Sequence, residues 1–168
     1  MDKSLIHQGA LISLYKERID LGDKGHTYFD IVHHPGGAVI AAINEQNQIC
    51  LLSQWRHAIN ETIWEAPAGC LEVGEPPLVT AQRELEEEAG VIAEEWQALG
   101  KIIPSPGFSN EILYLFKATV LSAGVVKLDD AEELEPHWID LEEAFAMANR
   151  GEIEDSKTLA ILLKLKLS

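Results

Sequence analysis

The chain has 168 residues, of which 46% are hydrophobic, and it carries a formal net charge of −15 at pH 7. A chain of this length and hydrophobic content can bury one core, so we expect a single domain over residues 1–168. The excess of carboxylates disfavours general binding to nucleic acid, because a phosphate backbone attracts basic surfaces.

Strands are predicted for most of the first 65 residues. Several short segments there alternate apolar and polar residues or are rich in β-branched and aromatic residues, which is typical of strands. The predicted strands cover residues 10–21, 27–33, 38–43, 49–55 and 61–65. Cys50 lies in an apolar run and is interpreted as a core residue.

A helix of about three turns is predicted between Pro76 and Gly90. Proline suits a helix start, where a missing N–H costs little, and glycine suits the stop, where a left-handed residue is favourable. Apolar residues at intervals of three and four predict a buried stripe formed by Leu78, Ala81, Leu85 and Ala89.

Carboxylates are concentrated on another face of this helix. Glu84 and Glu88 are four residues apart, and Glu87 lies three residues beyond Glu84. Like charges at this spacing destabilise a helix. A hard divalent cation such as Mg²⁺ would offset the repulsion, because it binds carboxylate oxygens and often bridges to substrate phosphates. The alternative interpretation is a solvated acidic face.

The remainder of the chain is predicted to mix strands and helices. Strands are expected at residues 98–103, 111–121 and 137–139, and helices at 141–150 and 156–167, the second with Asp155 or Ser156 as its N-cap. This order indicates either an α+β fold or a three-layer α/β/α sandwich. Two cysteines are too few for a disulfide framework, and no segment resembles a signal peptide or membrane span, so we expect a cytoplasmic protein without a membrane partner.

Residues 69–91 read GCLEVGEPPLVTAQRELEEEAGV and fit the spacing G-x5-E-x7-R-E-U-x-E-E-x-G-U, where U is aliphatic. This pattern resembles the complete signature of the Nudix hydrolase family. The resemblance implies the Nudix fold, an α/β/α sandwich around a mixed β-sheet. It also implies an N-terminal antiparallel strand segment at residues 1–37 and a catalytic core at residues 38–168.

Three further segments resemble one branch of that family, the ADP-ribose pyrophosphatases and nucleoside-diphosphate-sugar hydrolases. They are QWR with WEAPAG at residues 54–56 and 64–69, PSPGFSNE at 104–111, and GEIEDSKT at 151–158. The resemblance implies metal-dependent hydrolysis of a nucleoside diphosphate sugar, such as ADP-ribose to AMP and ribose 5-phosphate. Trp55, Trp64 and Cys70 replace the branch's usual tyrosine, leucine and lysine, and these differences bear on substrate preference.

The resemblance assigns metal-binding roles to matching residues. The ligands of Mg²⁺, with Mn²⁺ as a substitute, would be the backbone carbonyl of Ala68 and the carboxylates of Glu84 and Glu88. Glu87 would support the catalytic site. Arg83 would pair with one of the glutamates.

Other roles implied by the resemblance concern substrate and base. Arg56 would bind a phosphate, since a planar guanidinium can donate two hydrogen bonds to it. The residues expected to hydrogen-bond ribose or base are Glu65, Glu111 and, as a helper, Ser109. The acidic residues 129–135 stand where this branch has a loop bearing catalytic carboxylates. Glu132 is the first candidate for the catalytic base. If the acidic segment aligns with the branch's loop one residue further along, Glu133 is the base instead.

Alternative functions stay open at this point. A Nudix hydrolase of dinucleoside polyphosphates or RNA caps is disfavoured by the PSPGFS segment, and a non-catalytic nucleotide sensor is disfavoured by the intact signature. The sequence does not rank ADP-ribose against sugar nucleotides such as GDP-mannose. The branch resemblance also implies a homodimer formed through the N-terminal strands, where residues 10–20 alternate as an edge strand would.

Overall fold

The computed structural model describes residues 2–128 and 133–167. Within these residues the chain forms strands and α-helices in a mixed order. In chain order they are β1 (Lys3–Gln8), β2 (Ser13–Asp20), β3 (His26–His33), β4 (Gly37–Ala42), β5 (Gln48–Arg56), β6 (Glu61–Glu65), β7 (Ala68–Cys70), α1 (Pro77–Ala89), β8 (Val91–Ile102), β9 (Leu113–Ala123), β10 (Leu134–Asp140), α2 (Leu141–Arg150) and α3 (Ser156–Lys166).

The strands form three sheets. β1, β2 and β3 form an N-terminal antiparallel sheet, and β10, β5 and β6 form a second antiparallel sheet. The third sheet has the order β7-β4-β9-β8 and is mixed, because β4 pairs parallel with β9 and antiparallel with β7. All residues of β4 are buried, as expected of a strand that is covered on both faces.

The helices cover β4 from two sides. Successive side chains of a strand point to opposite faces of its sheet. Val39 and Ala41 belong to a core cluster shared with α2 and α3. Ala38, Ile40 and Ala42 belong to a second cluster shared with α1. The predicted three-layer α/β/α sandwich is therefore confirmed over the α+β alternative.

Helix α1 has the predicted ends but a different buried face. Its C-cap Gly90 adopts a left-handed conformation with φ of 63°, and the Gly90 N–H donates to carbonyls of the last turn. The predicted stripe was partly wrong: Leu78 is 37% exposed. Thr80 and Glu88 are buried instead, because hydrogen bonds to Glu75 and to the backbone satisfy their polar atoms.

The N-terminal sheet differs from the prediction. Residues 10–21 were expected to form one edge strand, but β2 starts only at Ser13, after a turn in which the N–H of Gly9 donates to the carbonyl of Ile12. β2 is also the middle strand of its sheet and not an edge strand. It pairs with β3 on one side and on the other side with β1, which was not predicted. The edges are therefore β1 and β3. No residue of these three strands is buried.

Other boundaries show where the sequence pattern was informative. β6 and α2 coincide with the predicted residues 61–65 and 141–150, and the side chain of Asp155 caps α3 by accepting from the N–H of Thr158. β8 begins at Val91 instead of residue 98, and β7 was not predicted.

Cys50 is fully buried, as predicted, and this burial, together with the charge of Glu88, raises the pKa of its thiol to about 12. In the described parts of the chain, none of the helices has the length and apolar character to cross a membrane.

Candidate active site

A cavity of about 700 Å³ lies where α1 faces β4 and β7. Most of the residues selected from the sequence line this cavity. They are Arg56, Ala68, Arg83, Glu84, Glu87, Glu88 and Glu111. The elements that carry them are far apart in the chain, so the fold assembles the cavity from β5, β7, α1 and the segment before β9.

Gly69 allows the carboxylate of Glu84 to lie against the backbone of β7. A Cβ atom placed on Gly69 would lie 1.9 Å from both Cδ and Oε1 of Glu84. Such a distance is far inside van der Waals contact, so any side chain at this position would displace the carboxylate. The first glycine of the signature therefore has a steric role: it leaves the space that Glu84 fills.

Glu88 is held against the same strand. Its side chain is 3% exposed, and Oε2 accepts a hydrogen bond of 2.8 Å from the backbone N–H of Ala68. A buried carboxylate needs such a partner, because burial without hydrogen bonds strongly disfavours the charged form. Glu84 and Glu88 are thus both fixed beside the Ala68–Gly69 backbone, one turn of α1 apart.

Arg83 joins the carboxylates around it. Its Nη1 donates to Glu84 at 2.6 Å and to Glu87 at 3.0 Å, and its Nη2 donates to Glu75 and to the carbonyl of Cys70, each at 3.2 Å. The Arg83 guanidinium lowers the pKa of Glu75 to about 2, and these carboxylates in turn raise the pKa of Arg83. The sequence predicted one pairing for Arg83, whereas the structure shows three.

Arg56 is oriented by the buried carboxylate of Glu65. Nε and Nη2 of Arg56 donate to the two oxygens of Glu65, each at 2.6 Å, and Nζ of Lys157 contacts the same carboxylate. Burial raises the pKa of Glu65, but the hydrogen bonds from Arg56 and the charge of Lys157 outweigh it and hold that pKa below its ordinary value. Glu65 itself is 2% exposed and does not line the cavity.

His34, Cys70 and Glu111 also line the cavity. Sγ of Cys70 lies 3.9 Å from Nε2 of His34, and Nδ1 of His34 accepts from the N–H of Gly36 at 3.0 Å. Burial and the nearby carboxylates raise the pKa of the Cys70 thiol, which disfavours a reactive thiolate. Ser109 does not line the cavity; its hydroxyl accepts from the N–H of Glu111 at 3.2 Å.

Of the two candidate bases, the structure describes Glu133. Glu132 lies outside the described residues. Glu133 is exposed, and its carbonyl accepts from the N–H of Trp55 at 2.9 Å, but its side chain does not line the cavity. Lys127, whose N–H donates to the carbonyl of Glu87 at 2.9 Å, does line it.

Several residues of the cavity wall had no role predicted from the sequence. Among them are Leu11, His34, Gln54, Lys127 and Lys157. Gln54 and Lys157 belong to segments whose resemblance was noticed, so a signal existed for these two. Nothing in the local sequence pattern identified the other three.

The oxygen atoms beside Gly69 fit a hard divalent cation. Within residues 2–128 and 133–167 no group of three or more His, Cys, Asp or Glu side chains is arranged to hold a metal ion. Two carboxylates and a backbone carbonyl nevertheless match the way Mg²⁺ binds, since this ion keeps several waters and shares substrate phosphates. The carboxylates of Glu84 and Glu88 and the backbone of Ala68 would supply these protein ligands.

Comparisons with known proteins identify the family and the fold of the chain. The NUDIX domain family model matches residues 32–161. The ADP-ribose pyrophosphatase of Bacillus subtilis (strain 168) is 37% identical over 167 residues, covering 98% of this chain and 90% of the relative. A methanol dehydrogenase activator of Bacillus methanolicus is 37% identical over 164 residues, covering 96% and 89%. A solved ADP compounds hydrolase aligns with a TM-score of 0.86 over 99% of this chain and 91% of its own, at 14% identity, which shows a shared fold.

Proposed function

The chain belongs to the Nudix family, and on that premise we propose that it hydrolyses the pyrophosphate bond of a nucleoside diphosphate linked to a sugar, such as ADP-ribose. One observation carries the proposal: Glu84 and Glu88 are fixed beside Gly69 in a cavity whose wall also holds Arg56. The cavity volume of about 700 Å³ is typical of small-molecule sites. The ADP-ribose pyrophosphatase relative supports ADP-ribose as the first substrate to test.

Nudix hydrolases generally need divalent metal ions, and we propose Mg²⁺ here, with Mn²⁺ as a substitute. The ligands would be the carbonyl of Ala68 and the carboxylates of Glu84 and Glu88. When bound, the ion would neutralise charge on phosphate oxygens and lower the pKa of a water molecule. The protein keeps these carboxylates in place, because Arg83 holds Glu84 and the N–H of Ala68 holds Glu88.

Arg56 is the proposed phosphate-binding residue. Glu65 occupies the Nε–Nη2 edge of its guanidinium, and within the described residues Nη1 makes no hydrogen bond. A guanidinium whose other edge remains available can donate two parallel hydrogen bonds to a phosphate. Glu65 would therefore act by orienting Arg56, in place of the ribose contact expected from the sequence. Glu111 lines the cavity and keeps its proposed contact with ribose or base.

The proposed base remains a carboxylate beside the metal site. Glu132 stays the first candidate, on sequence grounds alone, with Glu133 as the alternative. Glu87 lines the cavity with a side chain that is 35% exposed, but its carboxylate also accepts from Arg83. We therefore assign Glu87 a supporting role, in which it helps Arg83 to position Glu84.

The test is a panel of nucleoside diphosphate derivatives assayed with Mg²⁺, with identification of the products. We expect ADP-ribose to give AMP and ribose 5-phosphate. Glu88→Gln should lower kcat about a thousandfold or more while the fold persists, because an amide oxygen can still accept from Ala68. Glu86→Gln is the matched control: it removes the same charge from the same helix, but Glu86 does not line the cavity. Wild-type kcat in folded Glu88→Gln would contradict the site assignment.

We also propose a homodimer formed through the N-terminal sheet. The three strands β1–β3 bury no residue, and they expose large hydrophobic side chains, including Leu5, Ile6, Tyr28 and Phe29. Large apolar side chains exposed on a small sheet mark an interaction surface, and a second copy would stabilise the sheet by covering them. Light scattering at micromolar protein should give a dimer mass. Phe29→Glu should reduce this mass, whereas Val73→Glu, at a fully exposed residue elsewhere, should not. A monomeric wild type contradicts the proposal.

A further inference from the structure

Lys157, for which the sequence predicted no role, lines the candidate active site. Its side chain is 14% exposed, and its ammonium contacts two carboxylates: Oε2 of Glu65, and Oδ2 of Asp155 at 3.1 Å. Arg56 binds the same Glu65 through two hydrogen bonds. Two cations from β5 and α3 therefore share one buried carboxylate beside the cavity.

We propose that Lys157 is a second phosphate-binding residue, which forms with Arg56 a two-cation clamp for the diphosphate group of the substrate. This inference rests on the proposed function and extends it to a residue of the last helix. An ammonium has three donors, and the contacts with Glu65 and Asp155 use two of them. Among the described residues, one donor of Lys157 and the Nη1 end of Arg56 thus remain for an anion in the cavity.

Glu65 gives the clamp its fixed geometry. The carboxylate is 2% exposed, and both its oxygens are engaged by the two cations. Cations held in advance lose less conformational entropy when an anion binds than mobile side chains do. Preorganised cations are also more effective at stabilising charge that develops during phosphoryl transfer.

α3 is attached through further hydrogen bonds besides the contact of Lys157 with Glu65. Oδ2 of Asp155 accepts from the N–H of Thr158 at 2.9 Å and from its hydroxyl at 2.6 Å. The Thr158 hydroxyl accepts from the N–H of Ala66 at 2.7 Å, which ties α3 to the segment before β7.

Two variants of α3 test the clamp. Lys157→Met should raise KM for ADP-ribose at least tenfold at saturating Mg²⁺, while Lys157→Arg, which keeps the charge, should recover most of the affinity. Lys164→Met is the matched control, because it removes the same charge from an exposed residue of the same helix that does not line the cavity. An unchanged KM in folded Lys157→Met would overturn the clamp.

A second measurement uses the wild-type protein and needs neither hydrolysis nor a substitution that removes charge. Lysine labelled with ¹³C at Cε is observed by NMR while Mg²⁺ and imidodiphosphate, an analogue of pyrophosphate that resists hydrolysis, are added. The Lys157 signal, assigned with Lys157→Arg, should shift, and the Lys164 signal should not. Absence of a Lys157 shift overturns the clamp. If the shift occurs but no nucleotide sugar is hydrolysed, the clamp stands and the proposed function fails.

Discussion

Substitution of Gly69 by alanine isolates the steric role of the first signature glycine. The new Cβ would lie 1.9 Å from Cδ and Oε1 of Glu84, whereas ordinary contact begins at 3.4 Å, so the carboxylate must move by about 1.5 Å. The carboxylate is the far end of a flexible side chain, and it can move without unfolding the helix. A displacement of about 1 Å in a catalytic group can cost about 100-fold in rate, or about 2.7 kcal/mol.

The same movement should have a small effect on stability. It removes the hydrogen bond of 2.6 Å between Arg83 and Glu84, but Arg83 keeps its contacts with Glu75 and Glu87. We expect a loss of about 1 kcal/mol, which corresponds to a fall in Tm of about 2–4 °C. Gly69→Ala should therefore be a folded protein with a damaged site.

The assay compares kcat/KM for ADP-ribose and the Mg²⁺ concentration at half-maximal activity in the two proteins. Gly107→Ala serves as the control, since no atom lies within 4 Å of the point that its Cβ would occupy and its backbone conformation is open to alanine. Activity of Gly107→Ala should stay within about twofold of wild type. A Gly69→Ala protein with wild-type kcat/KM and metal dependence would refute the steric argument.

Three further outcomes are expected. Hydrogen bonding to Arg83 holds the pKa of Glu75 at about 2 instead of 4.5, so the Glu75 carboxylate stabilises the fold above about pH 4.5 and loses this effect as the pH falls towards 2. The Tm difference between wild type and Glu75→Gln should therefore disappear between pH 4.5 and 2. A Tm difference that stays constant over this range would contradict the argument. Glu132→Gln should lower kcat at saturating Mg²⁺ with an unchanged circular dichroism spectrum, and if Glu133→Gln alone has this effect, the alignment of the acidic segment is shifted by one residue. Thr158→Val removes a buried hydroxyl that makes two hydrogen bonds and should cost about 1–3 kcal/mol in denaturant unfolding; full stability would show that these bonds contribute little.

Much of the fold could be predicted where local signals agree with one another. Helix α1 lies between a proline and a left-handed glycine, so its ends follow from backbone chemistry. β4 is buried throughout and is apolar throughout. By contrast, all residues of β1 are exposed, and no burial pattern marks the strand. The missed part of β8, residues 91–97, includes Glu94 and Glu95, which have low strand propensity.

The candidate site shows a similar division. The carboxylates of α1 were predictable, because a helix places residues four apart on one face. The sharing of Glu65 by Arg56 and Lys157 was not, because Lys157 is 92 residues away in the chain and meets Glu65 only through tertiary packing. The prediction of the buried stripe of α1 was partly wrong for a related reason. The hydrogen-bond partners that allow Thr80 and Glu88 to be buried lie outside the helix.

The docking of α3 has a consequence for biosynthesis. Lys157 and Thr158 belong to the last helix of the chain, yet they bind Glu65 and the N–H of Ala66 in its first half. During vectorial synthesis the β-strands and α1 are made before these residues. A nascent chain can therefore form much of the sandwich before it can neutralise Glu65 fully or fix the segment that leads to Gly69. The wall of the cavity that carries Arg56 is therefore completed only after α3 has been synthesised.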